Sequence, residues 1–154
     1  MNTCGLRIFE DKYSVVSINL IELLEVIPNK NDYNWAILFL EATGYLGKKQ
    51  SLLSLEQKIK NTKNGYYITW TEIHELFPKF DQIIDLDLIG CRDKSKLHHY
   101  DNDKEMYESC DIVIRMVDSS YWEIYSHIKS LLQIYKKKFP KTEWINMQTL
   151  KDLQ

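Results

Sequence analysis

Cysteine is scarce in this chain of 154 residues, and the three present, Cys4, Cys91 and Cys110, are an odd number in no recognisable framework. That excludes a disulfide-stapled secreted domain and suits a reducing cytoplasm, where thiols stay free. Long apolar runs are missing too. No segment approaches the roughly 18 consecutive apolar residues of a membrane span. Met1 to Tyr13, interrupted by Arg7, Glu10, Asp11 and Lys12, lacks the apolar core of a signal peptide. The expectation is a cytoplasmic protein with no membrane partner. Excess basic charge is absent: 20 Lys and Arg against 22 Asp and Glu leave −2, which argues against direct nucleic-acid binding. The five glycines are scattered and none opens a helix in a Gly-rich loop, so a phosphate cradle is missing. No internal repeat is present.

What is there is an ordinary globular balance. Apolar residues make up 44% and charged residues 27%, which excludes disorder and leaves enough core to fold without disulfides or metals. One domain over residues 1–140 is expected, followed by a tail, 141–154, read as a short docked helix or a partly disordered segment. Trp144 favours docking.

Local patterns outline the elements. Tyr13 to Ile18 reads as a short strand. Asn19 and Glu22 form a capping-box pair, with Ile18 and Leu23 at the positions of a hydrophobic staple. Leu20, Leu23, Leu24 and Ile27 then give one helical face ending at Pro28. Trp35 to Leu40 is continuously apolar, as in a central strand covered on both faces. Leu52, Leu55 and Ile59 mark a second helix, capped by Ser51 or Ser54 and ended by Asn61 to Gly65. Tyr66 to Thr69 is a short strand. Thr69 and Glu72 form another capping box, opening a helix that Pro78 stops near Phe77.

Ile84, Leu86 and Leu88 alternate with Asp85 and Asp87, the clearest strand pattern in the chain. Lys104 to Ser109 reads as a short helix. Asp111 to Asp118 and Tyr121 to Tyr125 read as strands joined through Ser119 and Ser120. The first has Ile112, Ile114 and Met116 inward, and Val113, Arg115 and Val117 outward. Ser126 is placed to cap a last helix with Ile128, Leu131, Leu132, Tyr135 and Phe139 on its buried face, stopped by Pro140. Strands and helices mix without regular βαβ spacing. The expected fold is therefore α+β, with a mostly antiparallel sheet of about five strands and about four helices.

Catalytic chemistry finds little support. Cys91, His98, His99 and Cys110 lack the ligand spacing of a zinc site, and adjacent histidines point to opposite sides of an extended segment. Cys110 has no nucleophile signature, and Ser119 and Ser120 are turn residues. Asp85 and Asp87 share one strand face, with side chains about 7 Å apart. Joined by Asp118 or Glu123, they are the candidates for a Mg²⁺ site of a metal-dependent hydrolase or nuclease, with a loop histidine as an added participant. The competing reading is a solvated strand face, paired with Arg115 on a neighbouring strand.

Charge is segregated along the chain. Lys79 to Tyr125 holds eleven acids and six bases, whereas Ser126 to Lys141 is essentially all lysine among its charges. In the acidic stretch, carboxylates alternate with Tyr100, Tyr107, Tyr121, Trp122 and Tyr125, a composition suited to a basic partner: aromatic anchors with steering carboxylates. A solvated acidic surface over an ordinary core accounts for the same composition.

A resemblance favours the partner. Cys110-Asp111-Ile112-Val113-Ile114 through Asp118-Ser119-Ser120-Tyr121-Trp122-Glu123-Ile124-Tyr125-Ser126 resembles a run in immunity proteins of bacterial polymorphic-toxin and contact-dependent growth inhibition systems. Trp35 to Leu40, Ile68-Thr69-Trp70 with Glu72, and Gln82-Ile83-Ile84-Asp85 through Ile89-Gly90-Cys91 are similar in the same way. The resemblance implies a small cytoplasmic non-enzyme, without a cofactor, that binds one cognate toxin domain and occludes its active site. Such toxins are commonly nucleases, whose phosphate-holding clefts are basic and accept an acidic surface. No contact residue carries over from the resemblance. On charge and aromatic content alone, Asp85, Asp87, Asp101, Asp103, Glu105, Tyr121 and Glu123 are the expected contact surface. A regulatory adaptor for another basic protein is the third reading.

Overall fold

The structure, a computed structural model, describes residues 3–10 and 15–147. Within them the strands are β1 (Cys4–Ile8), β2 (Asn34–Gly44), β3 (Tyr66–Ile68), β4 (Phe80–Cys91), β5 (Ile112–Val117), β6 (Tyr121–Ser126) and β7 (Thr142–Ile145). The helices are α1 (Leu20–Glu25), α2 (Leu52–Asn61), α3 (Trp70–Leu76), α4 (Asp103–Ser109) and α5 (Lys129–Lys138).

The helices start where short-range chemistry places them. Asn19 accepts the Glu22 N–H at 2.9 Å while the Glu22 carboxylate accepts the Asn19 N–H at 3.2 Å, so two orphan donors of α1 are satisfied reciprocally. Thr69 and Glu72 do the same for α3 at 3.1 and 3.0 Å. Pro78 diverts the end of α3 into a 3₁₀ turn over Phe77–Lys79. Ser51, not Ser54, caps α2.

All strand pairings are antiparallel, in the order β3-β2-β4-β5-β6-β1-β7. α1, α2, α3 and α5 lie over one face. Their Leu20, Leu23, Leu55, Ile59, Ile73, Leu132 and Tyr135 enclose Leu6, Ile37, Leu88, Ile114 and Trp122 from the sheet. Trp122 is fully buried and donates its Nε1–H to the Ile18 carbonyl at 2.8 Å; Tyr135 donates to the Leu23 carbonyl at 2.6 Å. These bonds satisfy the polar ends of two large core side chains. The opposite face is covered by α4 and the loop before it, through a second cluster of Leu97, Met106 and Tyr107 on Ala36, Ile89, Val113 and Tyr125.

Two cross-strand glycines allow aromatic rings to lie on the sheet. Gly5 faces Tyr125, where an added Cβ would sit 2.7 Å from the ring. Gly90 faces Trp35, where it would sit 2.5 Å from the indole. Tyr125 lies flat enough to stack on Tyr107 at 3.7 Å.

Several sequence expectations need correction. The sheet has seven strands and the described chain five helices, against about five and four. β1 was not anticipated. Val15 to Ile18 is not a strand; the start of that expected strand, at Tyr13, lies outside the described residues. The tail contributes the edge strand β7 where a short helix or a partly disordered segment was expected, and its end, 148–154, lies outside the described residues. Ser126 does not cap α5. Its hydroxyl donates to the Asp111 carbonyl at 2.6 Å and accepts the Ile128 N–H, and the helix begins at Lys129. Val113 points away from the main core as expected, yet is fully buried, because α4 covers that side.

Candidate functional site: an acidic sheet face beside α4

The register of the sheet builds a row of alternating charge. Asp87 on β4 lies opposite Arg115 on β5, which lies opposite Glu123 on β6; Glu123 faces Arg7 on β1, and Arg7 faces Glu143 on β7. Arg115 donates from Nε to Asp87 at 2.7 Å and from Nη1 to Asp103 at 3.1 Å and to the Tyr107 hydroxyl at 2.5 Å. Arg7 reaches Glu123 from Nη2 at 2.9 Å and Glu143 from Nη1 at 3.1 Å. The Tyr125 hydroxyl donates to the other Glu123 oxygen at 2.8 Å. Cross-strand pairing of opposite charge is what holds carboxylates on a half-covered sheet.

The electrostatics follow from that cover. Burial outweighs the attraction of Arg115 and lifts the Asp87 carboxyl above the usual aspartate range. Burial also raises the Tyr107 and Tyr125 hydroxyls. Burial opposes the charge on Arg115, but Asp87, Tyr107 and Asp103 together hold its guanidinium protonated more firmly than usual.

The seven residues expected to contact a partner therefore divide. Asp101 and Glu105 are exposed. Asp103 is half exposed and tied to Arg115. Asp85 is partly buried and accepts the Asp118 backbone N–H at 3.0 Å, fastening the β5–β6 turn. Asp118 and Ser119 occupy that turn with φ of 49° and 58°, left-handed values rare for residues other than glycine. Asp87 is not a free carboxylate facing water. Tyr121 is partly buried beneath Arg7, whose guanidinium lies 4.4 Å from the ring centre. Glu123 is 7% exposed and fully engaged, so it leaves the contact surface.

The arrangement suggested for a metal is not assembled. It is the backbone of Asp118 that meets Asp85, while Asp87 is held by Arg115. Among the described residues no three His, Cys, Asp or Glu side chains converge as a metal site requires. His98 spends its Nδ1 on the His99 carbonyl at 2.9 Å and packs against Tyr100. Cys91 and Cys110 are fully buried partners. Their mutual hydrogen bond lowers the Cys91 thiol and raises that of Cys110, whose proton it holds.

No family model, curated protein or solved structure matches this chain. No helix among the described residues is long and apolar enough to cross a membrane.

Sequence reasoning passed over an exposed aromatic residue beside these carboxylates. β2 was read as covered on both sides, but α4 covers only part of it, and Phe39 is 43% exposed. A bulge at Leu38–Phe39 sets Phe39 opposite Asp87, and the next pair outward is Glu41 opposite Asp85. The signal was present in the alternation Phe39-Leu40-Glu41-Ala42-Thr43, in which Leu40 and Ala42 are buried and the other three exposed. The geometry is an open sheet surface on which Phe39 lies beside Glu41 and Asp85, with the acidic start of α4 alongside.

Proposed function

We propose that this chain is an immunity-type inhibitor, a cytoplasmic protein that binds one cognate basic toxin domain, a nuclease, and occludes its active site stoichiometrically. The observation that carries the reading is Phe39, a large apolar side chain left exposed on a sheet face whose neighbouring side chains are carboxylates. Aromatic residues, Phe among them, are enriched at the cores of protein interfaces, whereas carboxylates steer the encounter and pair with Lys or Arg at the rim. A nuclease cleft is basic because it holds phosphates, so carboxylates fit it by charge. Phe39, Glu41 and Asp85 form the centre of the proposed contact, with Asp101, Asp103 and Glu105 from the start of α4 at its edge. Tyr121 shares the same sheet face. Asp87 acts by orienting Arg115, and Glu123 lies inside the fold.

The test uses the C-terminal domain of a large secreted protein encoded beside this chain. Induced alone it arrests growth; co-expressed with this chain it does not, and the two elute as a one-to-one complex. Phe39→Lys with Glu41→Lys, both at exposed positions, keeps the fold and loses rescue and complex together. Toxicity that this chain fails to relieve overturns the inhibitor reading. Full rescue by the double variant overturns this surface as the contact.

A further inference from the structure

A second site lies at the other end of β2, formed by none of the acidic-face residues, and its existence does not depend on the inhibitor reading. The chain entering β2, the edge strand β3, the start of α3 and the loop after β4 enclose a cavity of about 270 Å³. Its walls include Tyr33, Trp35, Tyr67 and Trp70, and its mouth carries Lys30 and Lys94. Each cation lies over a ring, Lys30 Nζ 5.1 Å from the centre of Trp70 and Lys94 Nζ 5.0 Å from that of Tyr67. Arg92 adds a third, 5.2 Å from the centre of Tyr33 and donating to its hydroxyl at 3.1 Å. Glu72, the carboxylate in the lining, is already committed to the Thr69 N–H.

Trp35 sets this cavity apart from a surface dent. It is 4% exposed, and its Nε1 is buried without a hydrogen-bond partner. A buried N–H left unpaired loses its hydration without replacement, and the other core indole, Trp122, has its N–H satisfied. Aromatic walls, cations at the mouth and a lining indole whose N–H is unpaired suit one kind of occupant.

We propose that this cavity binds a single planar ring carrying a carboxylate or phosphate. The ring packs among the aromatic side chains, the acidic group pairs with Lys30 and Lys94, and an acceptor on the ligand takes the Trp35 N–H. The volume admits one ring and its acidic group and is too small for a dinucleotide.

The indole N–H resonances of ¹⁵N-labelled protein give the readout, with Trp35 assigned from Trp35→Phe. Titration with phenyl phosphate and 4-hydroxybenzoate should move the Trp35 signal saturably downfield, leaving Trp122 and Trp144 in place. Lys30→Gln with Lys94→Glu should weaken that binding by about tenfold or more, as loss of two charge-assisted contacts implies. Response to the phosphate ester alone assigns an aryl phosphate; response to the benzoate as well assigns aromatic acids in general. No saturable shift with either probe at millimolar concentration, or an unchanged affinity in the lysine variant, overturns the site.

Discussion

Arg115 and Asp87 face each other across the β4–β5 pair, 2.7 Å apart, with side chains 23% and 22% exposed. The same guanidinium holds Asp103 and the Tyr107 hydroxyl, so one side chain ties α4 to the sheet beneath it. Removing the cation leaves Asp87 without its partner in a half-buried place. Arg115→Met should destabilise the fold by about 2 kcal/mol, between the cost of losing an exposed pair and that of breaking a buried one. Urea denaturation with Asp87→Asn and the double variant checks it. Additive effects would mean that the contact contributes nothing.

The Asp87 carboxyl should titrate above the roughly 3.9 of an unstructured aspartate. Burial raises its folded value, so its contribution to stability is fully present below the unfolded pKa and lost as pH rises through the folded one. Its ionisation thus works against the fold at neutral pH. Carboxyl ¹³C shifts followed through an acid titration measure the midpoint, and one below 3.9, taken as about the free value, would contradict this account.

Gly90→Ala should cost about 1–3 kcal/mol, the usual range for overpacking. The new methyl would sit 2.5 Å from the Trp35 ring, which the glycine admits. The penalty should shrink when Trp35→Leu removes the ring. An equal loss in both backgrounds would place the strain elsewhere.

Thiol labelling of the native protein should be limited to Cys4. Cys4 is partly exposed, whereas Cys91 and Cys110 are fully buried and hydrogen-bonded to each other. A thiol reagent should titrate one group in buffer and three in denaturant, and rapid labelling of more than one in buffer would show that the α4 side opens readily.

Charge reversal should separate interface from framework. Asp101→Lys and Glu105→Lys, at exposed positions, should change stability by no more than about 0.5 kcal/mol. Reversal of Asp85 and Asp87 together should unfold or severely weaken the protein, since one holds the β5–β6 turn and the other Arg115. Those two aspartates are therefore poor probes of partner binding, although the sequence singles them out. Thermal melts of the two sets decide it.

The helices were legible because their signals lie within one or two turns. Asn19 with Glu22, and Thr69 with Glu72, are three residues apart, and the stripe Leu131, Leu132, Tyr135 is within a turn of itself. The alternation over Leu86 to Leu88 announced β4 in the same way. β1 and β7 escaped because five residues containing Gly5 and Arg7, or four containing Glu143, carry too little pattern to stand out. Phe39 escaped because an apolar run does not say which part of it α4 will cover. The pocket around Trp35 escaped because its walls come from four separate segments.

Local sequence patterns set the α+β class, the capped starts of α1 and α3, the strand at Asp85–Asp87 and the acidic middle of the chain. The tertiary structure alone decided which acids remain exposed. Arg7 meets Glu123 across 116 positions and Arg115 meets Asp87 across 28, and no local pattern foretells such pairs. Capping and amphipathic periodicity act over a few bonds, whereas burial and charge pairing exist only after distant strands are in register.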